Sequence, residues 1–241
     1  MNLQRVFLDT KLYKNMDITL DRLASKHLSR VLRMKQGAKI ELFDGKGNSG
    51  FAEVISSDLK EFKVKIVSKI QEQKNDGIEV NLALSIIKPS PFEYAIQKCS
   101  ELGVRSISPI LTERSIFKLD PKKVRSKLER WKLIAIGACE QCGQNWLPEI
   151  KSIHSLEDWI RSLDTNQRLA FVPRASKRLS EIKLKSNLDI IIGPEGDFSD
   201  SEIKLLNLNG FDTLNLGSRI LRSDTAAIVA LSSLRALKGE F

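Results

Sequence analysis

The chain has 241 residues, 41% of them hydrophobic and 29% charged, which is enough apolar material for a buried core and argues against a disordered polar tail. Its 39 Lys+Arg against 30 Asp+Glu leave a net charge of +9, so a polyanionic partner such as nucleic acid becomes plausible. No apolar run has the length of a membrane span, MNLQRVFLDTKLYKN lacks the apolar stretch of a secretory signal, and three cysteines make no disulfide framework; a cytoplasmic chain without membrane attachment is expected.

Residues 1–74 read as mostly β and carry the excess charge: through Asn75 there are 15 basic and 9 acidic residues, a net +6, against +3 for the remainder. KIELFDGKGNSGFAEVI and ISSDLKEFKVKIVSKI alternate apolar and polar residues, with hairpin residues between their strands. One helix interrupts them in ITLDRLASKHLSRVLRMKQG. Leu20, Leu23, Ala24, Leu28, Val31 and Leu32 would share its apolar face, and Arg22, Lys26, His27, Arg30 and Arg33 the opposite one. The tract QEQKNDG (71–77) reads as a linker.

From Ile78 short apolar strands alternate with helices: IEVNLALSII, RSISPIL, QRLAFV, LDIII and TLNLG are the strand candidates. Ser90, Pro91 and Glu93 suggest a cap, a first-turn proline and a capping-box acid, Gly103 closes that helix, and Asp120 with Pro121 opens a long one. The pattern predicts an α/β domain over 75–241 with a largely parallel sheet, whose ligands sit beyond the carboxyl ends of the strands.

Two strand-to-helix loops stand out. DIIIGPEGDFSDSEI places Gly193, Pro194, Glu195, Gly196 and Asp197 between a strand and a helix capped by Ser199 and Glu202. The glycines let a ligand approach the main chain, and the acids, with neither GxGxxG nor a Walker lysine, disfavour phosphate ligands; a tight turn with solvated acids is the plain alternative. LNLGSRILRSDTAAIVALSSLRALKG repeats the plan, with Ser223 or Asp224 as cap and Gly217, Arg219, Ile220, Leu221 and Arg222 before it. Two arginines around an apolar pair suit an apolar ligand wall with cations aimed at an anion, or simply a surface. Cys139 and Cys142 form a CxxC without a second pair, so packing is expected and no metal. Lys98 and Glu101 are spaced to pair on one helix.

IGPEGDFSDSEI followed by LGSRILRSDTA closely resembles the signature loops of the ribosomal RNA small-subunit methyltransferase E family of SPOUT methyltransferases. KHLSRVLRMKQG, QKCSELGVRSISPILTERS and the ACEQCGQNWLP end of the long helix carry the resemblance over nearly the whole chain. It implies a PUA-like β-barrel over 1–74 and a methyltransferase domain over 75–241 with a trefoil-knotted carboxyl-terminal chain. The implied activity is S-adenosylmethionine-dependent methylation at N3 of a uridine in the 16S rRNA of the small ribosomal subunit, by a homodimer acting on RNA and not on DNA. Carried onto this chain, the cofactor wall is Gly193, Pro194, Glu195, Gly196, Leu216, Gly217, Ser218, Ile220 and Leu221. RNA would be met by Arg22, Lys26, His27, Arg30, Arg33 and Arg219, and Arg222 with Asp224 or Glu195 would serve the chemistry. The family patterns GPEGGF, LGPR and RTETA are replaced here by Asp197, Ser218, and Ser223 with Asp224. Rival readings are a knotted methyltransferase for another RNA position and an RNA-binding assembly module without catalysis.

Overall fold

The computed structural model describes residues 3–58, 61–115, 120–164 and 167–241. They form two compact units, Met1–Asn75 with Cys139–Leu147, and Asp76–Ala138 with Pro148–Phe241.

The first unit is built on one sheet. Its elements are β1 (Gln4–Phe7), β2 (Asp17–Thr19), α1 (Arg22–Lys26), β3 (Lys39–Phe43), β4 (Asn48–Ser57), β5 (Phe62–Ile66) and β6 (Gln71–Glu72). The strand order is β1-β3-β4-β5-β2 with β6 also on β4, antiparallel except for β1 beside β3. Alternation places Ile40, Leu42, Ala52, Val54, Phe62, Val64 and Ile66 in the core, each fully buried.

Two expectations fail here. The residues read as a linker begin with β6, and Gln73 accepts the Trp146 indole N–H through its carbonyl at 2.9 Å and the Asn145 N–H through its side chain at 2.7 Å. The single amphipathic helix is instead a five-residue α1, capped by Asp21, followed by a π-helical turn over His27–Val31. The wider turn rotates the pattern out of phase: Leu28 is buried, while Leu23 is 68% and Val31 66% exposed beside Arg22, Lys26, His27, Arg30 and Arg33, also exposed. Residues 139–147 close on this unit. Arg5 bonds Glu41 at 3.0 Å and Asn145 at 2.6 Å, and a side chain at Gly47 would stand 2.5 Å from the Trp146 ring.

The second unit contains β7 (Glu79–Ser85), α2 (Pro89–Glu101), β8 (Ser106–Leu111), α3 (Val124–Cys142, whose last turn joins the first unit), β9 (Glu149–Ile150), β10 (His154–Ser155), α4 (Leu156–Arg161), β11 (Gln167–Phe171), β12 (Asn187–Ile192), α5 (Asp200–Leu208), β13 (Phe211–Leu214) and α6 (Ser223–Leu237). Its sheet is parallel throughout, ordered β10-β8-β7-β12-β11-β13 with β9 beside β8. The continuous apolar runs LALS and DIII suit strands covered on both faces. α2 begins two residues earlier than its sequence suggests: Lys88 flanks it and Pro89 is its first residue, so Ser90 does not cap it and Glu93 instead receives Arg130 through two bonds of 2.5 and 2.7 Å. Gly103 does end it, at φ 73, with the Gly103 and Val104 N–H groups donating to Ser100 and Cys99. Lys98 pairs with Glu101 at 2.7 Å. Among the described residues no helix is long and apolar enough to cross a membrane.

Candidate active site

The carboxyl ends of β11, β12 and β13 lie side by side, and the chain leaving each turns onto one cleft. Its volume is about 330 Å³, at the lower end of the usual range for a small-molecule site of about 300–1,000 Å³. Gly193, Pro194, Glu195, Gly196 and Asp197 form one wall, Ile220, Leu221, Ser223 and Ala226 the second, and Phe171, Pro173 and Arg174 the third. An adjoining hollow adds Leu216, Gly217 and Arg219.

The wall after β12 is held by its own packing. A side chain at Gly193 would come within 3.1 Å of the Phe198 ring, and one at Gly196 within 3.3 Å of Arg114 Cβ. Neighbouring protein atoms thus crowd both glycines, a packing reason for a small residue that stands beside the ligand approach expected from sequence. The left-handed residue is Asp197, at φ 60, where the family pattern has glycine. Its N–H closes a turn on the Pro194 carbonyl at 3.0 Å, and its Oδ1 accepts the Phe198 N–H at 2.8 Å. A short acid with a local hydrogen bond is among the few side chains that tolerate this backbone.

The capping box at α5 is present as read. Ser199 accepts the Glu202 N–H and Glu202 Oε2 accepts the Ser199 N–H at 2.9 Å. Glu202, 5% exposed, also takes the Glu113 N–H on Oε1 at 2.9 Å, joining the segment after β8 to the start of α5. Arg114 completes the brace: its NH1 donates to the carbonyls of Gly196 (3.0 Å) and Phe198 (3.3 Å).

α6 starts differently from expectation. Arg222 is its flanking residue, Ser223 is already helical and buried, and neither Ser223 nor Asp224 caps the helix; Asp224 Oδ1 accepts the Thr225 N–H at 2.8 Å. Ala227, Ala230, Leu231 and Leu234 are buried, while Ala226 is half-buried at the cleft. Arg219 and Arg222 are exposed, and Ile220 at the cleft is 88% exposed.

The structure thus brings together Gly193, Pro194, Glu195, Gly196, Leu216, Gly217, Ile220 and Leu221, with Arg219 beside them. Ser218 and Arg222 in the same loop, and Asp224 in the first turn of α6, line neither hollow. The third wall, Phe171 to Arg174, escapes the sequence reading, as does Arg114. QRLAFV reads as a strand of a parallel sheet, and that position alone marks the residues following it. Cys139 is buried, its thiol pushed up to about 12 chiefly by desolvation, and it packs against the Trp146 carbonyl at 3.8 Å. An unionised thiol is a poor ligand or nucleophile.

Chemically, the cleft offers apolar walls, main-chain groups, two carboxylates and one arginine. That suits a ligand with a flat apolar part and a positive centre better than a polyphosphate.

A parallel sheet with its site at a triple strand end, in a chain that also carries a separate basic β unit, is matched in both parts by RNA methyltransferase families. The family model described as RNA methyltransferase domain matches residues 73–235, and that described as RNA methyltransferase PUA domain matches 20–67. A curated relative from Buchnera aphidicola (subsp. Acyrthosiphon pisum), named ribosomal RNA small subunit methyltransferase E, is 31% identical over 98% of this chain and 94% of its own. A protein of Legionella pneumophila described as a methyltransferase, solved in complex with the bound cofactor SAM, superposes with a TM-score of 0.94 at 36% identity over 98% of both chains. The ribosomal RNA small subunit methyltransferase E of Neisseria gonorrhoeae, bound to S-adenosyl methionine, gives 0.91 at 28% identity over 98% of both. The chain belongs to the ribosomal RNA small subunit methyltransferase E family.

Proposed function

We propose that this enzyme transfers the methyl group of S-adenosylmethionine to N3 of a uridine in the 16S rRNA of the small ribosomal subunit. The observation that carries this reading is the convergence of three strand-end loops on an acidic, lysine-free cleft in a chain of this family. The residues fit that cofactor: Phe171, Pro194 and Leu221 offer apolar surface for a purine, and Glu195 and Asp197 bring negative charge suited to a sulfonium in a molecule that has no phosphate for them to repel. When bound, the cofactor supplies an electrophilic methyl group.

The chain's own residues do the rest. Gly193 to Asp197 and Leu216 to Leu221 orient the bound molecule, and the apolar wall excludes water. Arg219 and Arg222, exposed on the loop before α6, hold RNA phosphate or the target base, with Arg22, Lys26, His27, Arg30 and Arg33 of the basic unit adding backbone contacts. The imide N–H at N3 must lose its proton as the methyl group arrives. Glu195 lines the cleft and makes no hydrogen bond among the described residues, whereas Asp224 Oδ1 is already used by Thr225. Glu195 is accordingly the carboxylate we assign to that proton.

The knotted carboxyl-terminal chain and the homodimer implied by the family resemblance are part of this reading, as is a cytoplasmic setting beside the ribosome. Exposed Leu237 and Phe241 are consistent with a covered surface in a dimer, and sedimentation of the full chain tests it. For catalysis, Arg222→Ala should lower methyl transfer with unchanged thermal midpoint and cofactor affinity. Wild-type turnover by that variant would remove Arg222 from the site.

A further inference from the structure

The other end of the parallel sheet carries a feature that methyl transfer does not use. Asn81 on β7, Ser106 on β8 and Asp189 on β12 form one cross-strand row, and Ser108 lies on the next row of the same face. Ala83 and Ile191 share the row of Ser108, and Ile110 lies one row further on the same face, all three in the core. Buried polar residues in place of aliphatic ones on a covered sheet are costly unless they have a task.

The row is ordered but incomplete. Ser106 Oγ donates to Asn81 Oδ1 at 2.8 Å, and Asn81 Nδ2 donates to Asp189 Oδ1 at 3.0 Å. Asp189 is 1% exposed, yet its Oδ2 has no partner. Arg168, its neighbour on β11, keeps its charge near this carboxylate without hydrogen-bonding it: Nη1 and Nη2 donate to the carbonyls of Asn209 and Leu163, and its buried Nε has no partner. Asp189 lines a hollow of about 340 Å³ with Ser106, Ser108, His154, Trp159 and Asp164. That is far more than the ~30 Å³ share of one water. Lys151, also on its wall, is paired with Glu149 at 2.6 Å. Asp189 lies four residues before Gly193 on the same strand path, about 13 Å at ~3.3 Å per residue, so the hollow is separate from the cofactor cleft.

We propose that this hollow is a second binding site, taking a small aliphatic amine whose ammonium group donates to Asp189 Oδ2. An ammonium has three donors and no acceptor, matching the free carboxylate oxygen and the lone pairs of the Ser106 and Ser108 hydroxyls. Asp164 and the carboxyl end of α4 add negative potential at the same wall. His154, Lys151 and Arg168 are the opposing groups: Ser152 holds the first at 2.9 Å, Glu149 pairs with the second at 2.6 Å, and the third keeps its charge beside Asp189 while Nη1 and Nη2 bond carbonyls.

The chain has two histidines, so proton–carbon NMR of the imidazoles gives a reporter inside the hollow, His154, and a control in the other unit, His27. Putrescine titrated into the full-length protein at physiological salt should move the His154 signal saturably and leave His27 in place. Asp189→Asn keeps the shape and the bond to Asn81 while removing the charge, and should weaken the response at least about tenfold. Ser108→Leu, which replaces a hydroxyl acceptor by an isobutyl group projecting into the hollow and leaves the carboxylate, should also weaken it; near-ultraviolet circular dichroism checks that both variants are folded. A linear response, equal movement of both histidines, or undiminished binding by folded Asp189→Asn would each overturn the proposal and leave only water in the hollow.

Discussion

Replacing Arg114 with alanine isolates the brace on the cofactor wall. The guanidinium makes two hydrogen bonds, to the Gly196 and Phe198 carbonyls at 3.0 and 3.3 Å, and it is exposed, so each bond contributes about 1 kcal/mol or less net of solvation. Losing both should loosen residues 194–198 by about 1–2 kcal/mol, and if that ordering must be recovered on binding, cofactor affinity falls about 5- to 30-fold. Isothermal titration with S-adenosylmethionine measures it, and hydrogen exchange of the Asp197 and Phe198 amides locates it. The Asp197 N–H to Pro194 turn should exchange faster in the variant, with the thermal midpoint lower by only a few degrees. Arg114→Lys should recover part of the affinity. Wild-type affinity together with wild-type exchange in Arg114→Ala would refute the brace and show that water satisfies those carbonyls equally well.

Gly193→Ala places a methyl group 3.1 Å from the Phe198 ring, and overpacking of this kind should cost about 1–3 kcal/mol in urea unfolding, with weaker cofactor binding. At position 197 the expected order of stability is glycine at or above aspartate, and alanine about 1 kcal/mol below aspartate, because alanine at φ 60 loses both the backbone tolerance and the bond to Phe198; thermal melts of the three chains decide it. Burial raises the Asp189 carboxyl above its ordinary range, with the Asn81 bond and Arg168 opposing the shift. The folded state then holds that proton more tightly than the unfolded chain. Its stabilising effect is full below the unfolded carboxylate pKa of about 3.9 and is lost as pH rises through the higher folded value. Wild type should therefore lose stability relative to Asp189→Asn as pH is raised from acid toward neutral, by denaturant titration at several pH values; a difference that stays constant or grows would contradict the burial argument.

Much of the second unit is legible because its signals are local. A capping box at Ser199 and Glu202, a glycine stop at Gly103 and apolar runs such as LDIII each report on a few consecutive residues. The errors fall where distant residues decide. Lys88 and Pro89 open α2 while Glu93 is taken by Arg130, thirty-seven positions away. The π turn after α1 has no periodic signature, so periodicity puts Leu23 and Val31 on a buried face they do not occupy. Gln73 joins the first unit through Asn145 and Trp146, contacts that no local pattern in QEQKNDG announces. Two walls of the cleft are visible as unusual loop chemistry. The third, after β11, has an ordinary sequence and is marked only by its place in the sheet.

The central claim is tested most directly by incubating the protein with labelled S-adenosylmethionine and small ribosomal subunits lacking the modification, then identifying the labelled nucleoside by mass spectrometry. The account predicts label in 3-methyluridine at a single site of 16S rRNA. Label in another nucleoside would contradict the assigned target, and absence of transfer by folded, RNA-binding protein would contradict catalysis itself.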